Sequence, residues 1–326
     1  MQSLAIVGAG IAGSLLARAL QEKYQVHVFE KSRGPGGRMS TRRSSDSSWY
    51  VDHGAQFFTL REQSNSQFLE KLELNDVFAT WNARVVYFKD CGIFEESPFR
   101  EPHYVAVPAM NSLCKKALQD LKVTYNARIT ELKREDYGSW SLLTEQGAVF
   151  DNFDWVVLTA PVLQSVELLP EDFENRSLLA TCKMESCFAL CGPVEEESSW
   201  DAAYFHDSSK IRWMARNSSK PGREGESFYV AHTDSDFAQK LQALEKTEGL
   251  KLFHKEVKRV SGLDFRLENS FGHFWRYARA QNSIPGDYAI DSRLQLAVAS
   301  DCFPGTRVEG AIQSARSLAR KLSESV

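Results

Sequence analysis

Three glycines spaced Gly8-x-Gly10-x-x-Gly13 follow an apolar run, Ser3 to Val7, and open a stretch with helical spacing, Ala12 to Glu22. A second strand-like run, Gln25 to Glu30, ends in an acid 20 positions beyond Gly10. This pattern has a chemical use. The glycines permit a tight turn and let backbone N–H groups approach a pyrophosphate at the positive end of a helix, while the acid accepts ribose hydroxyls. An acid at position 30 suits unmodified hydroxyls, whereas a 2′-phosphate would call for an arginine. The expected ligand is an adenine dinucleotide, FAD or NAD.

Few other residues fall into patterns that carry chemistry. From Lys31 to Ser48 the chain reads as a loop with Gly34, Pro35, Gly36 and Gly37, then Arg38, Arg42 and Arg43. Arg38 offers a planar fork for phosphate oxygens; the plainer reading of the three arginines is a solvated basic loop. No Gly-x-Ser-x-Gly elbow, His-Glu-x-x-His helix or reactive-cysteine signature is present, so a bound cofactor must carry any chemistry. The cysteines at 91, 114, 182, 187, 191 and 302 show no Cys-x-x-Cys pair, and Cys182, Cys187 and Cys191 fall in an apolar run with no His at ligand spacing. Free thiols and no metal are expected.

These residues need elements to position them. The chain has 326 residues, 43% hydrophobic and 25% charged, with a net charge of -4, which suits two domains and a deep core. No basic block suits a nucleic-acid partner. No apolar run reaches the roughly 18 residues of a membrane span. The first segment lacks the basic residues that precede a signal-peptide core, its first being Arg18, so a reducing cytoplasmic setting is expected. Further strands are predicted at Val123 to Leu132, Ser139 to Thr144 and Trp155 to Thr159, the last rejoining the first sheet. A helix is predicted at Ser112 to Leu121. Strand-like runs at Ser186 to Leu190, Ala202 to His206, Ile211 to Arg216 and Phe228 to Ala231 suggest a second, mainly antiparallel sheet, followed by two helices between Ser235 and Val260. A strand at Leu294 to Ala299 and a long helix from about Val308 close the chain. The fold class expected is α/β. A Rossmann-type FAD-binding domain (1–60, 101–180 and 270–326) is interleaved with a substrate domain (61–100 and 181–269) built on the antiparallel sheet.

Longer segments carry a resemblance. The run Lys31-Ser32-Arg33-Gly34-Pro35-Gly36-Gly37-Arg38-Met39-Ser40 and the segment Asp52-His53-Gly54-Ala55-Gln56-Phe57-Phe58 resemble parts of the FAD-dependent amine-oxidase superfamily, closest to its renalase family. Arg128-Ile129-Thr130-Glu131, Ala160-Pro161, Ala215 to Pro221, Trp275 to Arg279 and Val308-Glu309-Gly310-Ala311 extend the resemblance over nearly the whole chain. It implies bound, noncovalent FAD. Gly8, Gly10, Ile11, Ala12 and Gly13 would hold the pyrophosphate, Glu30 the ribose, Ile129 the adenine through its backbone, and Arg38 the phosphate and ribityl region. Gln56 and Phe57 would border the isoalloxazine ring and Asp301 the ribityl chain, with Lys31, Met39, Gly54, Ala55, Val308 and Glu309 also at the cofactor. Two positions depart from the family pattern: Ser300 replaces a glycine before Asp301, and Asp236-Phe237 replaces Trp-Ser on the substrate side.

By the same resemblance, the activity would be oxidation of the 2- and 6-dihydro isomers of NAD(P)H to NAD(P)+, with O2 reduced to H2O2. Hydride transfer demands alignment and exclusion of water, not a protein acid or base. Cations interleaved with aromatics around Arg212, Arg216, Arg276 and Arg279 suit an anionic dinucleotide. Arg216, Asn217, His232, Trp275 and Arg276 are the substrate-side candidates. Two other readings stay open: an amine oxidase, which calls for an aromatic cage and a lysine near the flavin, and a flavin-binding sensor without turnover.

Overall fold

Continuous runs of β-branched and aliphatic residues build the first sheet. In a computed structural model that describes residues 1–45, 49–206, 209–223, 226–305 and 307–324, the strands Gln2–Val7, Tyr24–Phe29, Lys122–Thr124 and Trp155–Leu158 run parallel. Leu4 lies between Trp155 and Val26, and Leu296–Val298 adds a further parallel strand beside Trp155–Leu158. Ala289–Asp291 closes the edge antiparallel, making six strands. Both faces are buried, as the unbroken apolar runs require. Because side chains alternate, Leu4 and Ile6 meet the helices Ile11–Leu20 and Arg307–Ser323, whereas Ala5 and Val7 join Trp140, Leu142 and Phe153 of a three-stranded meander.

A seven-stranded sheet forms the second body, in the order 271–280, 184–193, 228–233, 211–216, 202–205, 85–90, 93–96. Every pair is antiparallel except 202–205 with 85–90. Leu190, Met214, Tyr229 and Ala231 face the helices Ser235–Gln242 and Lys246–Ser261 through Phe237, Leu241, Phe253 and Val257. Asp234 caps the first of these helices by accepting the Phe237 N–H at 2.7 Å, and Gly262 ends the second at φ +80°.

Several expectations need correction. The run 123–132 is two strands, not one: Asn126 turns at φ +55°, and Ile129–Arg134 leaves for the meander. Residues 271–280, expected in the FAD-binding domain, pair along 184–193 as the edge of the second sheet. Residues 63–77, expected in the substrate domain, instead send Leu69 and Leu74 into the core of the glycine-loop helix. The helix at 112 stops at Ala117. Positions 46–48 of the long loop lie outside the described residues.

Candidate active site

A cavity of about 2900 Å³ is lined by residues of both sheets. A single drug-sized ligand occupies roughly 300–1,000 Å³, so there is room for a dinucleotide and a second molecule. At one end stand Gly8, Gly10, Ile11 and Ala12. Gly8 takes φ +113° and donates its N–H to the Phe29 carbonyl at 2.8 Å, which locks the turn. A Cβ on Gly10 would meet nothing within 4 Å, so the backbone is bare toward the cavity. No side chain caps the helix that follows, which leaves first-turn N–H groups for an anion. Gly13, expected among the ligand contacts, is not part of the wall. A Cβ there would sit 2.0 Å from the Gly8 carbonyl oxygen, so this glycine serves helix-to-turn packing.

Glu30 is 5% exposed and opens on the same end. Its Oε2 accepts the Ala9 N–H and its Oε1 the Ser32 N–H, both at 2.8 Å. The carboxylate is thereby oriented, and each oxygen keeps a lone pair for a ribose hydroxyl. Lys31 and Ile129 line this end too, with Ala127 and Arg128.

The Gly36 N–H donates to the Ala9 carbonyl at 2.9 Å and draws the arginine loop against the glycine turn. Met39, 2% exposed, anchors that loop. Arg38 grips Asp301 in a two-pronged pair at 2.7 and 2.6 Å, so the two expected cofactor contacts are joined to each other within the wall. Ser300, the departure from the family glycine, has a use. Its hydroxyl donates to Asp301 at 3.2 Å while its N–H reaches Ser314 Oγ at 3.1 Å. Cys302 lies fully buried outside the wall, and burial pushes its thiol up to about 12.

Between these groups runs the segment 52–58. Gly54 could carry no Cβ, which would fall 2.0 Å from the Arg38 carbonyl oxygen, and Ala55 donates its N–H to that oxygen at 2.8 Å. The Gln56 amide is turned into the protein: Nε2 donates to the Asp52 and Gly54 carbonyls, and Oε1 accepts from Lys220 Nζ at 3.0 Å. Phe57 stacks on His103 with ring centres 3.7 Å apart. Val308 and Glu309 belong to the wall, and the Glu309 carboxylate holds Thr59 Oγ1 and the N–H groups of Arg61 and Glu62.

On the substrate side the structure brings together only some of the candidates. His232 and Trp275 both donate to the His53 carbonyl, at 3.2 and 3.1 Å, and line the cavity with Arg276. Burial pushes His232 down to about 4, so its ring is neutral. Arg216 is not in the wall. It follows Met214 by two positions, on the strand face turned away, and pairs with Glu197 and Asp201 at 2.8 and 2.5 Å. Asn217 is a backbone staple rather than a contact: it accepts the Asp52 N–H and donates to the Tyr50 carbonyl, both at 3.2 Å.

A buried charge cluster escaped the sequence reading. Lys220, Asp52 and Arg223 come together with Arg223 Nη2 2.6 Å and Lys220 Nζ 3.6 Å from Asp52 Oδ2. Burial would raise the Asp52 carboxyl, but the two cations outweigh it and hold the group below its ordinary range. Burial pushes Lys220 down to about 8 against the pull of Asp52. Trp213 and Tyr204, whose rings meet edge-on at 4.6 Å, also line the cavity and were not singled out as contacts.

Known proteins share this chain's sequence pattern and fold. Residues 6–72 match the model of the NAD(P)-binding Rossmann-like domain, and residues 96–323 that of the flavin containing amine oxidoreductases. Renalase of Mus musculus is 25% identical over 99% of both chains. An L-amino-acid oxidase of Pseudechis australis is 30% identical over 44% of this chain and 30% of its own. A solved structure from Exiguobacterium sp. 255-15, described as a protoporphyrinogen oxidase, superposes with a TM-score of 0.75 at 12% identity, covering 100% of this chain and 99% of the other. The uncapped glycine turn, the oriented Glu30 and the size of the cavity fit FAD. The chain belongs to the flavin containing amine oxidoreductase family and is an FAD-dependent oxidoreductase.

Proposed function

We propose that the protein oxidises the 2- and 6-dihydro isomers of NAD(P)H to NAD(P)+. In each turnover the substrate ring loses a hydride, and O2 with one proton becomes H2O2. When bound, FAD accepts the hydride and passes the electrons to O2. The supporting observation is the charge of the cavity: among the described residues its wall carries 13 lysines and arginines against 8 aspartates and glutamates, in a chain of net charge -4. Such a wall attracts an anionic dinucleotide and repels a protonated amine. The chain's residues would bind and orient the substrate rather than move its protons. Glu101, Glu185 and Asp301 are taken up by Arg61, Arg279 and Arg38. Burial pushes His53, His103 and His232 down to about 3, 4 and 4, which makes them poor bases.

One observation favours a second reading, oxidation of an amine. Lys220 stands one hydrogen bond behind Gln56, and Phe57, Trp213 and Tyr204 form an aromatic wall nearby. Anaerobic mixing of the flavoprotein with the 2- and 6-dihydro isomers, ordinary NAD(P)H and a panel of amines separates the two. Rapid loss of the oxidised flavin absorbance with the isomers alone supports the first reading, and loss with an amine alone replaces it with the second.

A further inference from the structure

Beside the main cavity opens a side chamber of about 250 Å³, lined by Glu185, Arg279, Ala280, Gln281 and Arg307. It is smaller than the space a drug-sized ligand fills, roughly 300 Å³ or more, and has room for a phosphate. Arg307 belongs to the walls of both spaces. Three guanidiniums gather here. Arg61 is paired with Glu101 and Arg279 with Glu185. Arg307 makes no hydrogen bond and no ion pair with any described residue, and its neighbours Arg279 and Arg61 repel it. Glu101 attracts it from beyond ion-pair distance. Arg307 is exposed at the cavity wall with no partner on its guanidinium among the described residues, so its donors are open to a ligand anion. It is also held there at a backbone cost, since Arg307 takes φ +56°, a conformation that an L side chain rarely adopts.

A second feature points to a ligand on the same wall. Trp213 is 7% exposed, lines the main cavity, and its buried indole N–H has no hydrogen-bond partner among the described residues. It lies edge-on to Tyr204, which interacts electrostatically with Arg307. A buried donor is rarely left unpaired in a native protein, so an acceptor atom on a ligand would satisfy it.

We propose that Arg307, with Arg279 and Gln281, forms a phosphate-recognising subsite for the substrate nucleotide, with the Trp213 N–H serving a second acceptor on the same molecule. The subsite rests on the dinucleotide reading above and assigns the substrate's anionic part to the start of the closing helix.

The test uses the FAD-loaded protein and two probes, ADP-ribose and adenosine, titrated calorimetrically and by perturbation of the flavin spectrum. Wild type should bind ADP-ribose more tightly than adenosine. Arg307→Gln should weaken ADP-ribose by about tenfold or more and adenosine little, and Arg307→Lys should recover part of the loss. Flavin content and melting temperature show whether the variants fold. With the dihydro isomers the Gln variant should raise KM more than it lowers kcat. Equal affinity of wild type and Arg307→Gln for ADP-ribose, or equal losses for both probes, overturns the subsite. If no dihydro isomer is oxidised yet ADP-ribose still depends on Arg307, the subsite stands and the proposed reaction falls.

Discussion

Glu30 shows how one side chain can serve both fold and ligand. Its two oxygens already satisfy the N–H groups of Ala9 and Ser32, which fixes the carboxylate plane before any ribose arrives. Glu30→Gln should keep the strand and the turn but set an NH2 group against one of those N–H donors and remove the charge that strengthens a hydroxyl contact. The expected result is FAD affinity weaker by about tenfold or more, read by titrating the apoprotein with FAD. Unchanged affinity would remove Glu30 from the ribose site. Single residues also account for where the sequence reading went astray. Arg216 is one of the cations interleaved with aromatics in the sequence, yet on its strand it shares a face with Met214 and not with the cavity-lining Trp213 three positions away. Period-two alternation was the signal that could have excluded it.

At the level of elements, the segment 52–58 is held from behind by the turn 217–223 through Lys220, Arg223 and Asn217. The Lys220 ammonium is costly to bury, and its folded pKa of about 8 lies below the ordinary 10.5. Between those values the unfolded chain binds a proton that the native state has released, so stability from this group rises with pH and is lost as pH falls through 8. Wild type should therefore gain stability relative to Lys220→Met between about pH 8 and pH 10, with their other titrations cancelling in the difference; chemical denaturation across that range checks it. A flat difference would show that Lys220 keeps its proton. None of this cluster was legible, because residues 52, 56, 220 and 223 meet only through tertiary folding and follow no local period. The Rossmann half was legible for the opposite reason: its strands are unbroken apolar runs and its turn is marked by glycines. Strand 271–280 lies between. It is an edge strand, half-buried along most of its length with no clean alternation, so neither periodic rule applied.

Over the whole molecule, charge is unevenly shared. Among the described residues, a chain of net charge -4 lines its central cavity with five more cations than carboxylates, 13 against 8. Some of these cations are matched within the wall, as Arg38 is by Asp301. Others face the cavity at exposed positions, where their field reaches incoming anions but is screened by salt over about 8 Å at physiological ionic strength. Raising ionic strength from about 10 mM to 500 mM should then lower kcat/KM for a dihydro isomer of NADPH more than for the corresponding isomer of NADH, because the extra phosphate adds charge for the same wall to attract. The comparison cancels general effects of salt on the flavin and on O2 reduction, since both substrates deliver the same hydride. Stopped-flow reduction of the flavin at several salt concentrations measures it directly. Equal salt slopes would mean that the surplus cations serve FAD alone and that substrate selection lies in shape, with the aromatic wall of Phe57, Trp213 and Tyr204 as the part of the molecule left to provide it.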